Sequence, residues 1–167
     1  MGRMLRFEQA GAVFTEDMSS LQDLRNRGTV TGNPTIVDSA RGRATSFDGS
    51  NDDLELGLDS GAIPTAYPFT MECWLKTSDS AGIVMALTDK SELNVYFAVD
   101  VASGAIRQTA RNTATKTITG SAVNDGEWHH VAAVFTSSTD RELFLDGTSD
   151  GTGSDASAYN TSVDELG

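Results

Sequence analysis

The strongest constraint on this chain is a two-residue rhythm of apolar and polar side chains, interrupted every few residues by glycine-centred turns. Phe69, Met71, Cys73 and Leu75 alternate with Thr70, Glu72, Trp74 and Lys76. Leu93, Val95, Phe97, Val99 and Val101 alternate with Asn94, Tyr96, Ala98 and Asp100. Successive side chains on a strand project to opposite faces, so each segment predicts a strand with one buried and one wetter face. Leu54, Leu56 and Leu58 against Asp53, Glu55, Gly57 and Asp59 give a strand with an acidic face. Residues 128–135 are apolar on both faces, which predicts a central, covered strand. Shorter strands are predicted at 10–14, 36–37, 44–47, 83–87, 105–111, 115–119 and 143–145. Asp48-Gly49, Ser103-Gly104, Asp125-Gly126 and Asp146-Gly147 supply the turns. A single helical turn is expected at 19–27, capped by Ser20 and stopped by Gly28. Past Gly151 the chain is small and polar, and strand signals fade. Roughly ten short strands with little helix predict an all-β fold: two antiparallel sheets in a jelly-roll sandwich. With 167 residues and neither linker nor repeat, the chain reads as one domain over 1–167.

Charge narrows the partners. The formal net charge is -12, with no basic stripe to neutralise phosphates, so nucleic acid is excluded as a partner. An anionic membrane surface is disfavoured for the same reason, and no segment is apolar enough to insert in a bilayer. Divalent cations or a basic partner surface remain compatible with the acid. Cys73 is the single cysteine, which rules out an intrachain disulfide and a cysteine-rich metal site. Its place in an apolar alternation predicts a small core residue. Residues 1–7 lack the apolar run of a signal peptide, so the expectation is a chain whose targeting segment was removed or that is used without secretion.

Three segments, in order and spacing, resemble the laminin-G-like (concanavalin-A-like) jelly-roll family. They are residues 44–54 around Phe47-Asp48-Gly49, residues 69–76, and residues 125–135 with Trp128-His129-His130, continued by Leu143-Phe144-Leu145-Asp146-Gly147. The resemblance covers residues 10–167. It implies a non-enzymatic recognition module, with a glycan or protein surface as ligand and an extracellular, cell-surface or virion-associated setting. It also implies that the chain stops where family members enter their penultimate strand. Two readings of that stay open: a shortened domain, or one completed by a neighbour's strand. The second gives the alternative function, a structural or decoration subunit of a homo-oligomer or larger assembly such as a virus particle or surface layer.

Candidate sites follow. Trp74, Tyr96 and Phe144 stand on the more polar sides of their strands, where an aromatic can stack on a sugar ring while Glu72 and Asn94 hydrogen-bond its hydroxyls. Asp48, Asn51, Asp52 and Asp53 form an oxygen-rich loop with two readings: a Ca2+ site, since related jelly rolls bind calcium in rim loops, or a turn at Asp48-Gly49 with its acids solvated. Asp53, Glu55 and Asp59 share a strand face as the carboxylates of jelly-roll glucanases do. Gly57 interrupts them where a third carboxylate is needed, so no catalytic residue is expected and glycoside hydrolysis ranks last. His129 and His130 are adjacent, point to opposite faces, and are expected to pack rather than to form a metal pair.

Overall fold

The computed structural model describes residues 2–9, 12–16, 28–40, 42–56, 63–89, 94–159, 163 and 165–166. These residues contain strands and turns and no helix. The strands are β1 (Gly2–Gln9), β2 (Ala12–Glu16), β3 (Gly28–Thr31), β4 (Thr35–Ser39), β5 (Gly42–Ser46), β6 (Asp53–Leu56), β7 (Phe69–Lys76) and β8 (Ala81–Asp89). They continue as β9 (Asn94–Ala102), β10 (Ala105–Arg111), β11 (Thr115–Ala122), β12 (Trp128–Ser137), β13 (Asp140–Leu145), β14 (Thr148–Gly153) and β15 (Glu165–Leu166). The first sheet runs β14-β13-β12-β7-β1-β5-β4, with β2 also paired to β1. The second runs β11-β10-β9-β8-β15-β6-β3. Every pairing is antiparallel, as the alternating sequence requires of a sandwich.

The alternation of β7 is realised residue by residue. Phe69, Met71, Cys73 and Leu75 are buried, while Thr70, Glu72 and Trp74 are half-buried and Lys76 is exposed. From the facing sheet Val84, Met85, Leu87, Phe97, Val99 and Ile106 meet them in one core. Burying each such large side chain contributes about 1.5–3 kcal/mol, which offsets the entropy of ordering so many turns. One end of the core is aromatic. Phe69 and Phe135 stack at 4.6 Å, and Phe97 meets both edge-on at 5.0 and 5.2 Å. Tyr67 and Tyr159 close that end, with the Tyr67 hydroxyl donating to Ser157 O at 2.6 Å and the Tyr159 hydroxyl to Pro64 O.

Two turns carry residues in the left-handed region: Ser103-Gly104 at φ 53° and 83°, and Asp146-Gly147 at φ 50° and 80°. Both dipeptides supply the twist that tight hairpins need.

Several sequence expectations change. The opening strand expected at 10–14 is a hairpin, β1 with β2, and β1 lies between β7 and β5 inside the first sheet. Gly28 opens strand β3, whereas the helical turn expected at 19–27 lies outside the described residues. β14 occupies the polar stretch where no strand was expected. β12 is central but buried on one face only: Val131, Ala133 and Phe135 are buried, His130, Ala132 and Val134 half-buried. β9 is the reverse, since Tyr96, Ala98 and Asp100 are as buried as Phe97 and Val99.

Candidate binding site

The register across β7, β12 and β13 puts three rows of side chains on the outer face of the first sheet. Lys76 lies opposite Trp128, Trp74 opposite His130, and Glu72 opposite Ala132, which is itself opposite Phe144. The rings of Trp74 and His130 are 5.0 Å apart and tilted by 55°. His130 Nε2 lies 3.8 Å from Glu72 Oε2. Trp74, Glu72 and Phe144, three of the five expected ligand-binding residues, therefore share one face. Tyr96 does not join them: it is 4 % exposed, in the core and on the second sheet. A ring so enclosed offers no stacking surface, which corrects its expected role. Asn94 opens β9 of that same sheet, away from Trp74, and its side chain lies outside the described residues.

The first row ends in a pocket of about 580 Å³ at the rim of the sandwich. Its lining includes Trp128 and Lys76, Val37 and Asp38 of β4, and Asp79 and Glu127. The turn beneath is stitched together: Gly126 N–H donates to Thr77 O at 3.0 Å, and Asp79 N–H to Thr77 Oγ1 at 2.9 Å. Half-buried Trp128 brings an apolar surface to a pocket whose other lining is largely polar or charged, an arrangement suited to a ring with an apolar face and polar edges. Sequence reading passed over Trp128 as part of a covered strand. The signal available was its parity with His130 and its place directly after the Asp125-Gly126 turn.

Beside the pocket, His129 is held between two carboxylates. Its Nδ1 is 2.8 Å from Asp146 Oδ2 and its Nε2 3.2 Å from Asp125 Oδ1. Asp146 Oδ1 also accepts the His130 N–H at 2.8 Å. Burial of the ring alone would push its pKa down. The hydrogen bonds and charges of Asp146 and Asp125 outweigh it and hold the imidazole above its ordinary value. For Asp146 burial works upward, and the bonds to His129 and the His130 amide overcome it and hold the carboxyl below the usual range. His130 thus packs against Trp74, while His129 is clamped between carboxylates.

The oxygen-rich loop is knit together by its own carboxylates. Asp52 Oδ1 accepts the Asn33 N–H at 2.7 Å and Oδ2 the Asp48 N–H at 2.8 Å. Asp48 Oδ1 accepts the amides of Ser50 and Asn51 at 2.8 and 3.4 Å. These carboxylates face backbone donors of their own turn and of the β3–β4 turn. Gly32 (φ 73°) fits there because a Cβ would come within 2.3 Å of Asp52 Oδ1. Among the described residues no three His, Cys, Asp or Glu side chains are grouped to hold a metal ion. A calcium ion needs about six to eight convergent oxygens, and the Asp48 and Asp52 carboxylates already accept backbone amides. Of the glucanase-like carboxylates, Asp53 and Glu55 share a face of β6, and Asp59 lies outside the described residues.

A second concavity of about 350 Å³ lies across β8–β11 on the other sheet, where Ile83 is 50 % exposed. Asp100 in its floor is committed to Arg107 Nε at 2.6 Å and to the Thr109 hydroxyl at 3.1 Å. It has no aromatic in its lining.

Residues 48–166, more than half of the chain, match the laminin G family described as the concanavalin A-like lectin/glucanases superfamily. The chain belongs to this superfamily. Its fold recurs in solved structures. One is domain 4 of AbnA, an extracellular arabinanase from Geobacillus stearothermophilus, solved with arabinotriose: TM-score 0.61, 15% identity, 90% of this chain and 76% of that one. Another is the botulinum neurotoxin type G receptor binding domain: TM-score 0.62, 10% identity, 98% of this chain and 41% of that one. Domains LG4-5 of the mouse laminin alpha1 chain match with TM-score 0.53 and 12% identity over 67% of this chain and 30% of that one. This concanavalin A-like chain thus spans less than half the length of the laminin and neurotoxin chains. At such identities these likenesses establish the fold. No curated protein sequence matches the chain.

Proposed function

We propose that this domain is a non-enzymatic recognition module that binds a neutral glycan through the outer face of its first sheet. The observation that carries the reading is the continuity of the Trp74–His130 ring pair with the Trp128 pocket. Aromatic surface provides stacking for a sugar ring, while Glu72, Lys76, Asp79 and Glu127 offer hydrogen bonds to its hydroxyls. Phe144 extends the apolar surface in the third row. The charge balance selects the class of glycan. Asp38, Asp79 and Glu127 outnumber Lys76 in the pocket, and the chain as a whole carries -12, so sulfated or sialylated chains are repelled. Neighbours of the same fold, one a receptor binding domain and one a domain of an extracellular arabinanase solved with arabinotriose, support a binding role in an extracellular setting.

The test is a screen of neutral and anionic glycans followed by calorimetry. A neutral ligand should appear, and Trp128→Ala and Trp74→Ala should each weaken it at least about tenfold, the loss of roughly 1.4 kcal/mol of stacking. Both variants should keep the parent's circular dichroism spectrum. Binding that survives both substitutions, or that is restricted to sulfated chains, would falsify the reading.

A further inference from the structure

One end of the sandwich interior holds polar atoms that the protein does not satisfy. Arg141 on β13 is 3 % exposed and points inward with Leu143. Its Nη2 donates to Asp155 O at 2.9 Å, while Nε and Nη1 have no hydrogen-bond partner. Gln108 on β10 is 1 % exposed. Its Nε2 donates to Val134 O at 2.9 Å, which fixes the amide so that Oε1 points elsewhere, and Oε1 has no partner. Ser157, 4 % exposed, is in the same position at Oγ.

These residues are joined by the chain around them. Asp155, which receives Arg141, is two residues from Ser157, whose N–H donates to Ser138 O in the β12–β13 turn. Gln108 holds Val134, opposite Glu142 and next to Arg141 on β13. Ile118, opposite Gln108, lies against Gly153, from which a Cβ would be 3.4 Å from Arg141 Nη2.

We infer that this end of the core binds ordered internal water, with one molecule on Arg141 Nε, another on Arg141 Nη1, and the chain of hydrogen bonds completed by Gln108 Oε1 and Ser157 Oγ. Leaving a buried donor or acceptor unmade costs about 1–3 kcal/mol, more on a charged group, so the guest must hydrogen-bond. Water and a small anion are the two chemical classes that could. Guanidinium geometry selects water. Nε–H shares an edge with Nη2, whereas Nη1 lies on the side of Cδ, so the free donors of Nε and Nη1 diverge and one anion cannot span both. Gln108 Oε1 is an acceptor, which an anion would repel and a water proton satisfies. Burial depresses the Arg141 pKa, and Tyr67 and Asp155 raise it in part, yet guanidinium keeps its proton, so the site stays cationic and hydrated.

Water held inside a protein for longer than its tumbling time is counted by magnetic relaxation dispersion of ¹⁷O and ²H. The parent should show long-lived internal water, reduced by about two molecules in Arg141→Met, which keeps the volume and removes the donors. Should that variant fail to fold, Gln108→Leu should lower the count by about one. A parent without long-lived water, or counts unchanged in the variants, overturns the inference. So does a high-resolution crystal structure in which a single anion sits on the guanidinium.

Discussion

Asp146 shows how much one residue can carry. Its φ of 50° makes the hairpin turn, one carboxylate oxygen accepts the His130 amide, and the other pairs with His129. Asp146→Ala should cost about 1–2 kcal/mol, from the lost hydrogen bonds and a strained left-handed alanine, read as a lower urea midpoint. Asp146→Asn, which tolerates the same φ and can still accept from the amide, should cost less. The pH dependence has two arms. His129 is raised above 6.5, so its contribution is complete below that value and fades as pH rises through its folded pKa. Asp146 is lowered below 3.8, so its contribution is present above that value and is lost as pH falls through its folded pKa. The clamp is therefore strongest in mildly acid solution. Urea midpoints across neutral pH should fall more for the parent than for His129→Gln, and an equal fall would remove His129 from the explanation. This clamp was legible only as a turn. Asp146-Gly147 announces a hairpin, but nothing in the spacing shows that Asp125 and Asp146 converge on one imidazole.

At the scale of elements, strands marked by alternation, an apolar run or a flanking turn were readable, and others, β1 and β14 among them, were not. β7 falls where its alternation places it and β10 where the preceding turn does, and β9 and β12 lie within a residue or two of their expected bounds. β1 escaped because its place between β7 and β5 depends on partners far along the chain, not on its own pattern. β14 escaped for a chemical reason. Thr148–Gly153 is small and polar because it is an edge strand lying close against β11 of the other sheet. A Cβ on Gly151 would come within 2.6 Å of Ile118 Cγ2, and one on Gly120 within 2.0 Å of Asp150 Oδ2. Asp150 in turn accepts the Ser121 amide at 2.6 Å and its hydroxyl at 2.7 Å, so each edge strand guards the other. Gly151→Ala should therefore destabilise by about 1–3 kcal/mol through overpacking. Gly82→Ala on β8, where a Cβ meets nothing within 4 Å, should be neutral or slightly stabilising. Thermal unfolding of the two variants separates close approach from glycine loss in general, and equal shifts would argue against the packing account.

For the whole molecule, charge and edge protection together bear on whether the domain acts alone. The sandwich is closed on one side by the Asp150–Ser121 contacts. On the other side, β3 and β4 are joined by the turn at 32–34, which Asp52 holds through the Asn33 amide. Neither side presents a long, flat, apolar edge of the kind that recruits another chain's strand. At -12, two copies repel each other, most strongly at low salt where the Debye length is about 30 Å. The expected outcome of light scattering is a mass near 17.7 kDa at low and at physiological ionic strength, over a wide range of protein concentration. A monomer leaves the Trp74–Trp128 face open to a ligand, as recognition of a glycan requires. A defined multimer formed without any sugar would instead mean that copies cover one another's faces. The glycan reading would then yield to the role of a subunit in a larger assembly.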